Sequence, residues 1–227
     1  MENPPKFNAS VSIGGNAHGP VAAGSDIIIG ATDQAGPHKA SPGGDLSGVH
    51  RVVVTTDVQG SGRHDNLGQR HLRRVLAESL AAGARELDRQ VDMFDRGDGT
   101  LVVLPETVTV VEAVDTFAEA VVRAVREHNQ VAGVDYRIDL RIAVHAGYVD
   151  RVDAQWSGAA LVHAARLVDA PPAKHALAAS AACAALVLSD VAMQVVDQGY
   201  SRVGPAAYQQ IPLSVKETSG HGWLRLL

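Results

Sequence analysis

Residues 52–62, VVVTTDVQGSG, decide the fold class, because they combine a strand pattern with an acidic residue and a run of small ones. The β-branched run at the start is typical of a buried strand. Residues 66–89 follow with apolar side chains at three- and four-residue spacing, which predicts an amphipathic helix. Two short strands are predicted next, at 91–94 and 100–104, and the glycines of the intervening DRGDG suit a hairpin turn.

The remainder of the chain carries the same two periodicities. We expect further helices at 112–128, 158–168 and 180–195, and further strands at 136–144 and, as a final pair, within 206–227. The helix at 180–195 is rich in alanine and would bury the thiol of Cys183. Strands and helices therefore mix without strict alternation, which favours an α+β sandwich of one sheet with helices packed on one face.

Composition excludes several classes of protein. The 227 residues are 46% apolar but only 4% aromatic, so aliphatic side chains must fill a sizeable core. The single cysteine excludes a disulfide framework and a multi-cysteine zinc site. A net charge of −5 argues against a general nucleic-acid binder. No apolar run approaches the roughly 20 residues that span a bilayer, and the N-terminus shows no secretory pattern. We expect no membrane segment and a cytoplasmic location.

Glycine and proline divide the chain in two. Residues 1–48 hold 9 of the 22 glycines and 5 of the 10 prolines. We therefore predict a Gly/Pro-rich appendage and linker over 1–48, and one domain over 49–227. Within the appendage, residues 8–30 alternate short apolar pairs with Gly, Asn and Ser. That stretch could be disordered, could form short extended pieces, or could contact a protein partner through Ile27–Ile29.

Two aspartates are the first candidates for chemistry. Asp57 ends the first strand, and Asp98 lies at the hairpin tip within Gly97-Asp98-Gly99. If the hairpin pairs with the first strand, both carboxylates meet at one sheet edge, where they would suit Mg²⁺. The residues after Asp57 include Gly60, Ser61 and Gly62, whose backbone N–H groups could approach phosphate oxygens. Each aspartate alone is better explained as a turn former or a helix cap, and only their joint placement favours a metal site.

Arg166 is the third candidate, within the predicted helix at 158–168. It projects from an otherwise small and apolar helix face. A surface arginine is the simpler interpretation. An arginine that binds a phosphoryl group is the alternative, because its fork matches phosphate geometry.

Four motifs together resemble a known family. TTDVQGSG, DRGDGTLVVLP, LRIAVHAGYV and GAALVHAARLVDA occur in the order found in class III nucleotide cyclases, and the resemblance covers roughly residues 50–227. It implies a ferredoxin-like sandwich with a mostly antiparallel sheet. It also implies the family's activity, which converts a nucleoside triphosphate into a 3′,5′-cyclic nucleotide and pyrophosphate.

By the same resemblance, Asp57, Asp98 and the backbone carbonyl of Val58 would bind two metal ions, Mg²⁺ or Mn²⁺. Arg166 takes the position of the arginine that stabilises transition-state charge. In the family these groups come from two different domains. A single domain over 49–227 cannot supply both halves of one site, so we expect a homodimer, or a heterodimer with a second cyclase-like chain.

Three positions depart from the family's pattern. Phe94 and Gln155 stand where purine-specific members read the base, and Val162 stands where an asparagine orients the ribose. Adenine and guanine would lose their usual hydrogen-bond partners. Three alternatives remain open: a cyclase for another nucleotide, such as a pyrimidine one; a nucleotide binder without turnover; or a degenerate module used for dimerisation or signalling.

Overall fold

The computed structural model describes residues 48–152 and 155–227. The predicted appendage therefore lies outside the described residues, except for Gly48, and so does the expected partner contact at residues 8–30. The strands are β1 (Val49–Val58), β2 (Asp92–Asp95), β3 (Gly99–Val103), β4 (Leu140–Val152), β5 (Gln155–Ser157), β6 (Ala184–Ser189), β7 (Gln209–Val215) and β8 (Thr218–Leu226). The helices are α1 (Asn66–Leu87), α2 (Val110–Glu112), α3 (Glu119–Val131), α4 (Ala159–Val168), α5 (Pro171–Ala178) and α6 (Asp190–Asp197).

One mostly antiparallel sheet organises the domain. Its strands run in the order β2-β3-β1-β4-β6-β8-β7, and β5 pairs with β4. Only β4 and β6 are parallel among these pairs. The long strand β4 is the centre, because it pairs with β1 along ten residues on one side and with β6 on the other. The mixed α+β architecture predicted from the sequence is confirmed.

Helices cover both faces of the sheet, so the expectation of helices on one face is wrong. Val52 and Val54 of β1 belong to an apolar cluster with α1, α3 and α6. Val53, between them, belongs to a second cluster with α4, and α5 packs on the same side against β6. Successive strand residues point to opposite faces. A run of three valines therefore requires apolar cover on both sides.

The predicted helix at 180–195 is also wrong. Residues Ala184–Ser189 form the strand β6, and α6 begins only at Asp190. Every residue of β6 is buried, between β4 and β8. The pairing of β6 with two neighbours outweighs the helix propensity of its alanines. Cys183 precedes the strand and is half-buried. The preceding helix α5 was not predicted.

Two other elements differ from their predicted bounds. The strand expected at 136–144 begins at Leu140 and continues to Val152. The helix expected at 112–128 begins at Val110, where Thr109 and Glu112 form a capping box. Its residues Ala113–Ala118 adopt a π-helical turn before α3. None of the described helices is both long and apolar enough to cross a membrane.

Candidate functional site

The structure brings Asp57 and Asp98 to the same edge of the sheet. Because β1 and β3 are antiparallel, Asp57 lies opposite Gly99, the residue after Asp98. The backbone N–H of Val58 donates to the carbonyl oxygen of Asp98 at 2.9 Å. This bond closes the ladder and holds the hairpin tip against the end of β1.

Arg141 is the charged partner of Asp57, and sequence reasoning missed it. It lies on β4 next to Asp57 in the antiparallel register, and its Nη2 binds Asp57 Oδ1. The residue is only 5% exposed. Its Nη1 donates to Gln59 Oε1 at 2.8 Å, and its Nε donates to the carbonyl oxygen of Val168 at 3.1 Å. One buried guanidinium thus ties together β1, the residue after it, and the end of α4.

The motif LRIAV contained a signal for this pair. Residues Leu140, Ile142 and Val144 are buried on one face of β4, and Arg141 alternates with them and points to the other face. The sheet is covered on both faces, and an alternating polar position then faces the second layer of helices. A charged side chain there requires a partner of opposite charge.

Burial raises the pKa of Asp57 to about 6. The positive charge of Arg141 opposes this effect, while the negative charges of Asp98 and Asp169 reinforce it and Lys174 opposes it. Lys174 is itself paired with Asp169, at 3.0 Å. Asp169 at the end of α4 and Lys174 on α5 therefore place two charges near this edge of the sheet, and the sequence analysis did not predict them.

Asp98 lies beside the loop that follows β1. Ser61 Oγ donates to Asp98 Oδ2 at 2.8 Å. Gly60 has a φ of 75°, in the left-handed region that favours glycine. Together with α1 this loop lines a cavity of about 260 Å³, whose walls include Val58, Ser61, Gly62, Gln69, Leu72, Arg73, Leu76, Gly97 and Asp98. The predicted small-residue loop thus lines a cavity that opens beside one of the two aspartates.

The donor set suits a hard divalent cation. Asp57 Oδ1 faces Arg141 and Asp98 Oδ2 faces Ser61, which leaves the other oxygen of each carboxylate as a candidate ligand. Because the charge of Asp98 raises the pKa of Asp57, a cation between them would relieve their repulsion. Among residues 48–152 and 155–227, no cluster of three or more His, Cys, Asp or Glu residues forms a metal site. Further ligands would come from the backbone, water or substrate.

Arg166 has a different environment from the aspartates. It lies on α4, and its Nη2 donates to Glu217 Oε1 at 3.3 Å, in the turn between β7 and β8. Asp57 pairs with Arg141, and Asp98 accepts a hydrogen bond from Ser61. Within one described chain, the arginine and the aspartates therefore have separate charge partners.

The three diverged positions lie in different surroundings. Phe94 on β2 is half-buried and packs, together with Trp156, against the apolar cluster under α4. Gln155 is exposed at the start of β5, and Val162 is half-buried on α4. The neighbouring His163 contacts His145, with ring centroids 4.5 Å apart. An aromatic side chain thus stands at the first of the three positions, and an aliphatic one at the third.

Comparison with known proteins shows which solved structures share this fold. A scan against protein-family models finds no match, and a sequence search of curated proteins finds none either. Solved structures do match. The guanylyl cyclase Cya2 superposes with a TM-score of 0.55 at 16% identity, over 78% of this chain and 90% of that one. An adenylate/guanylate cyclase/hydrolase from Silicibacter pomeroyi gives a TM-score of 0.55 at 18% identity, over 79% and 98%.

A third structure was solved with a nucleotide. The guanylate cyclase domain of RhGC from Catenaria anguillulae, in complex with GTP, superposes with a TM-score of 0.50 at 18% identity, over 77% of this chain and 94% of that one. At these identities the likeness establishes the fold. The matches agree with the order of motifs along the sequence, and the chain has the cyclase-like fold of the class III nucleotide cyclase catalytic domains.

Proposed function

We propose that this protein is a divalent-metal-dependent nucleotide cyclase with non-standard base selection. The observation that carries the proposal is the meeting of Asp57 and Asp98 at the end of β1, beside the cavity lined by Ser61 and Gly62. The cyclase-like fold supports it. The substrate is a nucleoside triphosphate, and the products are a 3′,5′-cyclic nucleotide and pyrophosphate.

In this mechanism the chain positions charge around a triphosphate. Asp57, Asp98 and the carbonyl of Val58 would hold Mg²⁺ or Mn²⁺, two ions by family resemblance. Such ions favour ionisation of a ribose hydroxyl and neutralise phosphate charge. Arg141 keeps Asp57 in place through its hydrogen bonds to β1 and α4. The amides of Gly60, Ser61 and Gly62 donate to phosphate oxygens.

Arg166 supplies positive charge to the phosphoryl group as negative charge develops in the transition state. In one chain it pairs with Glu217 and not with the aspartates. We therefore expect a second copy to supply it, so that the active assembly is a homodimer with two composite sites.

Base selection would rest on shape and stacking more than on hydrogen bonds. Phe94 offers no hydrogen-bond donor or acceptor, and it lies in an apolar cluster with Trp156. A position without a polar group for the purine edge adds nothing to the preference for one purine over another, and of the two base-reading positions only Gln155 keeps a side chain that can hydrogen-bond. This favours a smaller or less strictly selected base, such as a pyrimidine.

The deciding experiment incubates purified protein with each of the four nucleoside triphosphates and Mn²⁺. We expect one cyclic product and pyrophosphate, identified by chromatography and mass spectrometry. The Asp57→Asn and Asp98→Asn variants should form neither. If no nucleotide yields a cyclic product at a concentration that keeps the protein dimeric, the catalytic proposal is wrong.

A second candidate function is nucleotide binding without turnover. Phe94 and Val162 favour it, because neither side chain can hydrogen-bond a base or ribose. A thermal-shift assay separates the two functions. A ligand that binds only the folded state raises the melting temperature. A metal-dependent shift without product, lost in the two aspartate variants, would support the binding module.

A further inference from the structure

The guanidinium of Arg166 has an unsatisfied buried donor. The residue is 8% exposed. Its Nε is buried and has no hydrogen-bond partner among the described residues. Buried donors are nearly always paired in folded proteins, and an unpaired one destabilises the fold. A charged donor left in this state points to a ligand that completes its hydrogen bonding.

The neighbouring donor of the same guanidinium is only loosely engaged. Nε and Nη2 form one edge of the arginine fork, and this edge matches two oxygens of a carboxylate or a phosphate. Here Nη2 reaches one oxygen of Glu217 at 3.3 Å, beyond the usual length for a charge-assisted bond. Glu217 therefore occupies half of a two-donor edge.

Glu217 is well suited to leave this position. It follows Lys216, which has a φ of 50°, in the turn between β7 and β8. Its side chain is 71% exposed. An exposed carboxylate regains hydration when it moves away, so its pairing with a cation is weak. Hydrogen bonds from its own backbone and from Arg166 lower the pKa of Glu217, which keeps it charged near neutral pH.

We propose that Glu217 is a built-in competitor for the phosphoryl group at the Nε–Nη2 edge of Arg166. A phosphate oxygen displaces the carboxylate and pairs with both donors. This inference rests on the proposed function for the identity of the oxyanion, and it adds a regulatory residue to that site. Glu217 makes this binding selective, because only an anion that pairs with both donors displaces its carboxylate.

The chain contains a matched control pair. Arg51 Nη1 lies 3.3 Å from Glu106 Oε2, and the two side chains are 15% and 73% exposed. The corresponding values for Arg166 and Glu217 are 3.3 Å, 10% and 71%. The pairs therefore agree in distance and exposure. They differ in one respect. Among the described residues, Arg166 is the only arginine with a buried nitrogen that lacks a hydrogen-bond partner.

The test is a titration with inorganic pyrophosphate in EDTA, followed by the ¹⁵N–¹H signal of the Arg166 Nε group. The Arg166→Lys variant assigns that signal by its loss. In Glu217→Gln we expect the affinity for pyrophosphate to rise about two- to fivefold over wild type, the range of a weak exposed ion pair. Glu106→Gln should leave the affinity unchanged. Glu217→Ser, as a second variant, should act in the same direction as Glu217→Gln.

Two results would overturn the inference. If pyrophosphate fails to move the Arg166 signal in any variant, the edge is not an oxyanion site. If the signal moves with equal affinity in wild type and Glu217→Gln, Glu217 is not a competitor. The titration contains neither metal nor nucleotide, so it is independent of the cyclase assay. Failure of catalysis with a normal titration would count against the proposed function alone.

Discussion

At the scale of single residues, His145 and His163 form a neutral pair inside the fold. Their ring centroids are 4.5 Å apart, and His145 Nδ1 lies 2.9 Å from Ser189 Oγ. Burial, together with the charges of His163 and His50, lowers the pKa of His145 to about 4. Burial also lowers the pKa of His163, although Asp190 partly opposes this. Both imidazoles are therefore uncharged in the folded protein near neutral pH.

This pair makes stability depend on pH. In the unfolded chain a histidine takes up a proton near pH 6.5, whereas His145 resists it down to about pH 4. The stabilisation that depends on neutral His145 is therefore fully present above pH 6.5 and is lost as the pH drops toward 4, whereas the raised pKa of Asp57 acts in the opposite direction below about pH 6. In His145→Asn we expect this loss to shrink by roughly 1–3 kcal/mol across that interval. Urea unfolding at a series of pH values measures it.

The control for this prediction is His175→Asn. His175 is exposed on α5, so its replacement should leave the pH dependence as in wild type. Identical pH slopes for wild type and His145→Asn would contradict the assigned role of the pair.

Sequence reasoning reached part of the candidate site at this scale. It brought Asp57 and Asp98 together, because strand ends and a hairpin tip can be located along the chain. It missed Arg141 on β4, Asp169 at the end of α4 and Lys174 on α5, which lie 43 or more residues after Asp98 along the chain. Their proximity to Asp57 depends on the pairing of β1 with β4 and on the layer above it.

At the scale of elements, the β1–β3 ladder requires a glycine at position 99. A Cβ there would lie 2.1 Å from the carbonyl oxygen of Thr56, which is backbone and cannot turn aside. Gly99 faces Asp57 and directly follows Asp98. The close approach of the two strands at this point is what holds the two carboxylates at one edge.

Gly99→Ala should therefore disturb both fold and site. We expect the start of β3 to move away from β1, with a loss of about 2 kcal/mol or more in the free energy of unfolding. The affinity for Mn²⁺ should fall with it, because Asp98 moves with the hairpin. Chemical denaturation and calorimetric titration measure the two effects.

Gly204→Ala provides the comparison, since a Cβ at that position meets no atom within 4 Å. That variant should unfold within about 0.5 kcal/mol of wild type. Wild-type stability and Mn²⁺ affinity in Gly99→Ala would show that the strands tolerate a wider spacing.

Sequence patterns located the elements up to β3 more accurately than the elements that follow them. The periodicities of β1, α1 and the β2–β3 hairpin agree with the structure to within a few residues. The alanine-rich stretch at 180–195 was wrongly predicted to be a helix. Its local propensity favours a helix, but burial between two neighbouring strands stabilises β6 instead. A fully buried strand lacks the alternation that marks a half-buried one.

At the scale of the whole molecule, the proposed dimer rests on the separate charge partners of Arg166 and the aspartates. Arg166 pairs with Glu217 and Asp57 pairs with Arg141 in the same chain. If a dimer joins the two halves, each site takes its aspartates from one protomer and its arginine from the other.

Mixing two inactive variants tests this arrangement. Asp98→Asn and Arg166→Lys should each abolish cyclic product. In a mixed dimer one site carries both substitutions and the other carries none. With random exchange of protomers, half of the dimers are mixed, so activity should return to about a quarter of the wild-type value.

The measurement is a cyclase assay after exchange of the two proteins, with sedimentation equilibrium to verify the dimer. A mixture of either variant with itself should stay inactive. No recovery in a verified mixed dimer of the two inactive variants would place the arginine and the aspartates in one chain. Full activity of Arg166→Lys alone would exclude Arg166 from the reaction.

The sequence by itself determined the α+β class and the order of motifs, and it predicted the convergence of Asp57 with Asp98 on the condition that the hairpin pairs with the first strand. These depend on local periodicity and on one hairpin, and both are written along the chain. Only the tertiary structure decided that helices cover both faces, that β6 is a strand, and that Arg141 and Glu217 are the partners of Asp57 and Arg166. Such contacts join residues far apart in sequence, and burial fixes them only once the sheet has assembled.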